Sequence, residues 1–152
     1  MKFIWHKSSN SLSLNPITQV YGICFDSSGR ILIMREPGKS WNIPGGTPKS
    51  SESPIQTLER ELAEEVDVTI SESEMVGYYE VISDKPTIYQ LRFATILKEI
   101  KPQTKDPATN TMNERKLIES GEFFMHIKIE DYRPMLDESI KWYEKNKLTQ
   151  SQ

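Results

Sequence analysis

The chain has 152 residues, with 19 basic and 22 acidic side chains and a formal net charge of −3. This length is typical of one domain, which buries roughly two-thirds of its unfolded surface, so we predict a single domain over residues 1–152. The slight acidic excess argues against duplex DNA binding, because such proteins carry a basic patch or stripe. No apolar run approaches the roughly 20 residues of a membrane span, and none forms a signal-peptide core. With one cysteine the chain has no internal disulfide, and we predict a cytoplasmic protein without a membrane partner.

Two apolar runs near the N-terminus predict a pair of strands. Ile17 to Phe25 and Arg30 to Arg35 are rich in β-branched residues and flank the turn sequence Asp26 to Gly29. Both runs are nearly continuous rather than alternating, which indicates strands covered on both faces. Cys24 lies in the first run, and we interpret it as a small buried hydrophobic residue rather than a nucleophile.

The clearest helix lies in the middle of the chain. Ser53, followed by Pro54 and by Gln56, matches a capping box with proline at the first helical position. The helical pattern continues to Val66. The helix has two stripes at helical spacing: an apolar stripe of Ile55, Leu58, Leu62 and Val66, and an acidic stripe of Glu61, Glu64 and Glu65.

The second half of the chain predicts a long hairpin, a strand and a final helix. Met75 to Ile82 and Thr87 to Ile100 read as the hairpin, and Phe123 to Ile129 as a further strand. Met135 to Lys147 has the spacing of an amphipathic helix. These elements predict an α/β (α+β) fold in which a mixed sheet is packed between helices.

The acidic stripe has two interpretations. Three carboxylates within one helical turn repel each other by some tenths of a kcal/mol per pair, and an acid-rich solvated face is the ordinary explanation. A site for hard divalent cations is the alternative, because such ions prefer several oxygen ligands and would relieve the repulsion. Helix register alone does not decide between the two.

The residues around the stripe follow a longer pattern. From Gly46 the sequence reads G-TPKSS-E-SPIQTLE-RELAEE-V-D-V, which fits the Nudix box G-x5-E-x7-R-E-U-x-E-E-x-G-U at every position but one. The chain therefore resembles the Nudix hydrolase family over Gly46 to Val68, and Trp41 to Gly46 resembles the run that usually precedes the box. The departure is Asp67, where the family usually has glycine. Aspartate tolerates a left-handed backbone better than most residues, so we expect a small structural effect.

The resemblance implies a fold, an activity and a set of site residues. Family members have a mixed β-sheet sandwiched between α-helices and hydrolyse a nucleoside diphosphate linked to another group, X, usually with Mg²⁺ and sometimes with Mn²⁺. By position, the metal-binding carboxylates would be Glu61, Glu64 and Glu65, with Glu61 the first candidate for general base. The backbone carbonyl of Gly45 would be a further metal ligand.

Two further contributions follow from the resemblance. Glu52 and Arg60 look like the supporting pair of the box, which orients the loop against the catalytic helix. Some members add a glutamate from a later loop, either for another metal or as a base. The segment Lys101 to Gly121 is such a loop and contains Glu114 and Glu119. We choose Glu114, which is nearer the middle, although an ordinary solvated side chain explains it equally well.

Several residues outside the box have both a functional and a structural interpretation. Trp41 stacks on a base or packs beneath the glycine loop, and packing is favoured for a lone tryptophan. Arg35, Tyr89 and Arg92 either meet the X group or lie on a strand surface. His126 falls in a predicted strand, and we interpret it as structural.

The box leaves the X group open. Nudix members that act on ADP-ribose usually have a proline about 16 residues after the box; here that position is Asp84, and Pro86 lies two residues later. The aromatic-proline run of the NADH group and the arginine-rich segment of the coenzyme A group are both missing. We therefore predict a pyrophosphohydrolase of nucleoside triphosphates or related nucleotides that releases a nucleoside monophosphate. The alternatives are an ADP-ribose or nucleotide-sugar pyrophosphatase and a non-catalytic nucleotide-binding sensor of the same fold. An RNA-cap hydrolase is disfavoured because no basic run is present, and a homodimer is left open.

Overall fold

The computed structural model describes residues 1–150, so residues 151 and 152 of the predicted domain lie outside the described part. It contains seven strands and three α-helices. The strands are β1 (Lys2–Lys7), β2 (Ile17–Phe25), β3 (Ile31–Arg35), β4 (Gly45–Gly46), β5 (Val68–Ile82), β6 (Ile88–Ile100) and β7 (Glu114–Ile118). The helices are α1 (Pro54–Val66), α2 (Phe123–His126) and α3 (Arg133–Gln150), with 3₁₀ turns at Ser120–Glu122 and Glu130–Tyr132.

The strands form one mixed sheet with the order β1-β5-β6-β2-β3-β7, and β4 pairs with β2. β2 runs parallel to β6, and the other neighbouring strands are antiparallel. Two apolar clusters cover the sheet: one includes Leu58 and Leu62 of α1, and the other includes Met135 and Leu136 of α3. The predicted mixed sheet between helices is confirmed. Across the part of the chain described here, no helix is long and apolar enough to cross a membrane.

Helix α1 begins and ends as its sequence predicts. Ser53 Oγ accepts a hydrogen bond from the Gln56 N–H at 3.3 Å, and Gln56 Oε1 accepts one from the Ser53 N–H at 2.9 Å, which completes the capping box. Asp67 ends the helix in the left-handed conformation, with φ 56° and ψ 45°. Its carboxylate also accepts hydrogen bonds from the backbone N–H and the hydroxyl of Thr104, at 2.8 and 2.6 Å. Aspartate therefore serves as a helix end and fixes the segment after β6.

The predicted hairpin is confirmed, but its first strand starts much earlier than Met75. β5 follows α1 directly at Val68 and pairs with β6 along most of its length. Residues 71–74 of β5 are exposed and polar, so this part of the strand has no apolar periodicity. It is stabilised by backbone pairing with β6, which a hydrophobic pattern does not reveal.

The strand predicted over Phe123 to Ile129 is wrong. The short helix α2 (Phe123–His126) lies in this segment, directly after the 3₁₀ turn Ser120–Glu122, and the Ile127 N–H donates to the Phe123 carbonyl at 2.8 Å. Phe123 and Ile127 are both fully buried. A spacing of four residues places two side chains on one face of a helical turn, so the helical conformation buries both against the same core.

Besides the two-residue strand β4, two strands lie outside the runs predicted from the sequence. β1 (Lys2–Lys7) pairs antiparallel with β5 at the edge of the sheet. β7 (Glu114–Ile118) pairs with β3 inside the segment Lys101 to Gly121, for which the sequence predicts a loop. Both are short edge strands with several charged residues, so their apolar signal is weak.

Candidate functional site

The two glycines of β4 bring the sheet into direct contact with α1. Gly45 pairs with Tyr21 of β2 and Gly46 with Val20. A Cβ atom on Gly45 would lie 2.4 Å from the Val20 carbonyl oxygen, and one on Gly46 would lie 2.3 Å from Cδ of Glu61. Glycine at position 45 therefore allows β4 to approach β2, and glycine at position 46 allows the Glu61 carboxyl group to pack against the strand backbone.

The acidic stripe of α1 faces this glycine strand. Glu65 Oε1 accepts a hydrogen bond from the Gly45 N–H at 3.0 Å. Burial raises the pKa of Glu65 to about 8, partly offset by this bond, and the nearby charges of Glu61 and Asp106 raise it further. Burial also raises the pKa of Glu61, against the opposing effect of Arg60. Several carboxylates thus share a small, partly dehydrated region with little positive charge to balance them.

Arg60 connects the carboxylates of α1 to the loop before the helix. Its guanidinium donates to both oxygens of Glu52, at 2.6 and 3.1 Å, and to the Thr47 carbonyl at 3.1 Å. The same group reaches Glu61 at 2.9 Å and Glu64 at 3.3 Å. The bonds from Arg60, with one from the Lys49 N–H, lower the pKa of Glu52 to about 2. The structure thus brings Gly45, Glu52, Arg60, Glu61, Glu64 and Glu65 together in one region.

Glu114 has a different partner. Both oxygens of its carboxylate accept hydrogen bonds from Arg35, at 2.7 and 3.3 Å, and this contact lowers the pKa of Glu114. The Arg35 guanidinium also lies 4.4 Å from the ring centroid of Trp41. Glu119 is exposed and its backbone N–H donates to Glu122. The metal-binding role of Glu114 stays a prediction.

Asp106 is the acidic loop residue that the sequence analysis missed. It lies between β6 and β7, is 6% exposed, and its charge raises the pKa of both Glu61 and Glu65. One oxygen accepts from the Ala108 N–H at 2.9 Å, and the backbone pairs with Thr111. The Asp-Pro dipeptide at this position is a signal for such a turn, but the resemblance to the family directs attention only to the glutamates of the loop.

The remaining candidates are distributed over the fold. Tyr89 is half-buried against the apolar cluster that contains Leu58 and Leu62 of α1. Its ring packs edge-on against the Tyr78 ring, with 5.8 Å between the ring centroids. His126 lies on α2 rather than on a strand, and its ring contacts the Glu122 carbonyl. Cys24 is fully buried, which raises the pKa of its thiol to about 12. Arg92 is only 2% exposed, so the strand-surface interpretation is wrong for this residue.

The carboxylates do not converge on a common point in this arrangement. Over the described residues, no group of three or more histidine, cysteine, aspartate or glutamate side chains is positioned to hold a metal ion. The Glu61 and Glu64 carboxylates accept hydrogen bonds from Arg60, and the Glu65 carboxylate accepts one from the Gly45 N–H. Chemically, however, a set of crowded carboxylate oxygens is the donor type that hard divalent cations prefer, and such a cation would balance their charge.

Comparison with known proteins agrees with the fold. A MutT protein described for Aliivibrio salmonicida and Vibrio cholerae is 21% identical, with a TM-score of 0.63 over 84% of this chain and 98% of that one. A mutant form of the Bacillus subtilis pyrophosphohydrolase BsRppH is 15% identical, with a TM-score of 0.62 over 97% and 90%. The NUDIX domain of Shewanella oneidensis NrtR, complexed with ADP ribose, is 15% identical, with a TM-score of 0.66 over 84% and 88%.

Sequence comparison identifies the family. No curated protein has significant sequence similarity to the chain. The family model described as the NUDIX domain matches residues 16–143, which is most of the chain. This match includes the glycine strand, the whole of α1 and the loop that carries Asp106. The chain therefore belongs to the Nudix family of pyrophosphohydrolases.

Proposed function

We propose that this enzyme is a metal-dependent pyrophosphohydrolase of nucleoside triphosphates or related nucleotides and releases a nucleoside monophosphate. The observation that carries the proposal is the packing of Glu61 and Glu65 against the Gly45–Gly46 strand, where the charge of Asp106 also raises the pKa of both glutamates. A diphosphate is anionic, so it binds beside these carboxylates only if cations lie between them. Both the crowded carboxylates and the charge of the proposed substrate therefore favour a site that binds divalent cations.

The oxygen donors of the site fit the chemistry of Mg²⁺ or Mn²⁺. Glu61, Glu64 and Glu65 would hold the metal, with the Gly45 carbonyl as a further ligand and Asp106 as an additional acidic group. When bound, the metal neutralises charge on phosphoryl oxygens and lowers the pKa of the attacking water. Burial is the main cause of the raised pKa values of Glu61 and Glu65, and the charges of neighbouring acids add to it; a bound cation would oppose both effects.

Each of the other residues has a role that follows from its contacts. Glu61 is the proposed general base, since it lies directly against the glycine strand. Arg60 would orient Glu61 and Glu64, and Glu52 would fix the position of Arg60, because Glu52 receives two of its hydrogen bonds. The roles of Arg60 and Glu52 are therefore positioning roles. Charge-assisted bonds of this kind hold a guanidinium in one orientation.

An ADP-ribose or nucleotide-sugar pyrophosphatase is the second candidate. The NrtR domain, which shares the fold at 15% identity, is complexed with ADP ribose. A non-catalytic sensor is less well supported, since the box keeps every acidic position. The cytoplasmic location and a homodimer both stay predictions.

The direct experiment is turnover of a panel of nucleotides with Mg²⁺, followed by mass analysis of the products. The panel contains the nucleoside triphosphates, ADP-ribose and nucleotide sugars. We expect a triphosphate to give the highest kcat/KM, with a nucleoside monophosphate as product, and excess chelator to abolish turnover. Higher activity on ADP-ribose would favour the second candidate, and no metal-dependent turnover of any substrate would favour the sensor.

A further inference from the structure

Arg92 is a buried cation, and no carboxylate among the described side chains pairs with it. It lies in the centre of β6 and is 2% exposed. Its Nη1 donates to the Leu91 carbonyl at 3.1 Å and its Nη2 to Gln90 Oε1 at 3.4 Å. Within the part of the chain whose side chains are described, Nε has no hydrogen-bond partner and no acidic side chain forms an ion pair with Arg92.

Three aromatic rings surround the guanidinium. The ring centroids of Tyr21, Tyr79 and Tyr132 lie 5.0, 5.2 and 5.7 Å from Cζ of Arg92. Cation–π contacts within about 6 Å stabilise a desolvated guanidinium, which explains how the charge is tolerated in the core. They act on the faces of the group, however, and leave the N–H donor of Nε unsatisfied, which is costly in a buried position.

Arg92 lines a cavity of about 250 Å³. Besides the three tyrosines, its walls include the amide side chains of Gln19 and Gln90 and the apolar side chain of Ile129. Flat apolar walls with a few polar groups are typical of a site for a planar ring. One acidic residue, the exposed Asp131, also lines the cavity, which disfavours a purely anionic ligand such as a terminal phosphate.

The cavity adjoins the acidic site through the sheet. In the strand register, Arg92 of β6 is the partner of Tyr21 of β2, and Tyr21 is the partner of Gly45 of β4. Two strand spacings, roughly 10 Å, therefore separate the backbones of Arg92 and Gly45. A nucleotide whose phosphates lie beside the glycine strand can reach the cavity with its base.

We propose that Arg92 determines base specificity by donating hydrogen bonds to the exocyclic oxygen of a keto nucleobase held in this cavity, in preference to adenine. This inference rests on the function proposed above. A guanidinium offers only donors, so it matches the O6 and N7 acceptors of guanine or a carbonyl oxygen of a pyrimidine. Adenine keeps the N7 acceptor but presents an amino donor where guanine has O6, so it sets a donor against a donor of Arg92 and loses one of the two contacts.

Two measurements test the inference separately from catalysis. The first is the ¹⁵N–¹H resonance of Arg92 Nε in protein supplied with Mg²⁺, assigned with the Arg92→Lys variant, which lacks it. Adding GMP or UMP should shift this resonance, and AMP at the same concentration should leave it in place. A larger shift with GMP than with UMP indicates that the cavity prefers a keto purine, and a larger shift with UMP indicates a pyrimidine. An equal shift with AMP, or no shift with any nucleotide, overturns the inference whether or not the variant folds.

The second measurement is the ratio of kcat/KM for GTP or UTP to that for ATP. A lost bidentate contact corresponds to roughly ten- to a hundredfold in discrimination, so the wild-type ratio should exceed tenfold and Arg92→Lys should bring it close to one. Damage to the fold lowers both values and leaves the ratio unchanged. Arg133→Lys is the matched control, because Arg133 stacks on Phe124 at 4.4 Å in an exposed position, and it should keep the wild-type ratio.

The outcomes separate this inference from the proposed function. An Arg92 resonance that responds to GMP or UMP, in a protein that hydrolyses no triphosphate, contradicts the proposed function and leaves the base site intact. Hydrolysis of all triphosphates at equal kcat/KM contradicts the base site and leaves the proposed function intact.

Discussion

Glu61 occupies a closely packed position of the acidic stripe. Its carboxyl group lies against the backbone of Gly46, receives a hydrogen bond from Arg60 and is only 17% exposed. Burial and the neighbouring charges of Glu64 and Asp106 raise its pKa, whereas Arg60 lowers it. A carboxylate with this balance remains available for proton transfer while its orientation is fixed.

The Glu61→Gln substitution tests that role. Glutamine keeps the size of the side chain and its bond to Arg60 but removes the charge and the basicity. We expect kcat to fall by about 10²–10⁴-fold, the usual effect of losing a general base, with no loss of folding. Glu59→Gln is the matched control, because Glu59 is exposed on the same helix. Equal losses of kcat in the two variants would contradict the assignment.

Asp106 offers a second prediction at this scale. Asp106→Asn keeps the oxygen that accepts from the Ala108 N–H, so the loop conformation should survive. If Asp106 supports the metal site, the Mg²⁺ concentration for half-maximal activity should rise about 10–100-fold, as is typical for groups beside metal ligands. Asp137→Asn, an exposed change on α3, serves as control. An unchanged Mg²⁺ dependence would exclude Asp106 from the site.

The element that organises the site is the short strand β4. It pairs with β2 on one side and leaves space on the other for the Glu61 carboxyl group, which a single Cβ atom at Gly46 would fill. The strand thus determines how closely α1 approaches the sheet. The position of the carboxylates follows from this contact as much as from the helix itself.

Gly46→Ala tests this contact. The new methyl group would overlap the end of the Glu61 side chain, which can move without unfolding the helix. We expect a decrease in kcat of about 10²-fold, the scale of a 1 Å misplacement, with little change in Tm. Gly121→Ala is the control, since a Cβ there meets no atom within 4 Å. A variant with normal kcat would show that the carboxyl position is not determined by β4.

The elements differ in how much of them the sequence reveals. Helix α1 was predictable because its capping box, its apolar stripe and its left-handed end at Asp67 are all local. The first half of β5 was not, because exposed residues 71–74 are held only by pairing with a distant strand. For Phe123 to Ile129, a short apolar run fits a strand or a helical turn equally well, and tertiary burial of Phe123 and Ile127 decides.

At the scale of the whole molecule, the site is assembled from segments far apart in the chain. The Nudix box identifies the acidic stripe and the Glu52–Arg60 pair, because these residues share one loop and one helix. Asp106 and Arg92 come from other elements, and their proximity to the site depends on the pairing of β6 with β2 and on the loop after β6. No local pattern in the sequence encodes that proximity.

The same arrangement would make the proposed reaction asymmetric. The acidic stripe lies on one side of the glycine strand, and the Arg92 cavity lies two strands away from it. A nucleotide bound across both places has one defined orientation, so water should attack a single phosphorus atom. For a nucleoside triphosphate, the account predicts a nucleoside monophosphate and pyrophosphate as the products.

Hydrolysis of a nucleoside triphosphate in ¹⁸O-labelled water with Mg²⁺ tests this central claim most directly. Mass spectrometry of the products should find monophosphate and pyrophosphate, with the label in only one of them, and excess chelator should stop the reaction. Label in both products, inorganic phosphate as the primary product, or full activity in chelator would contradict the account.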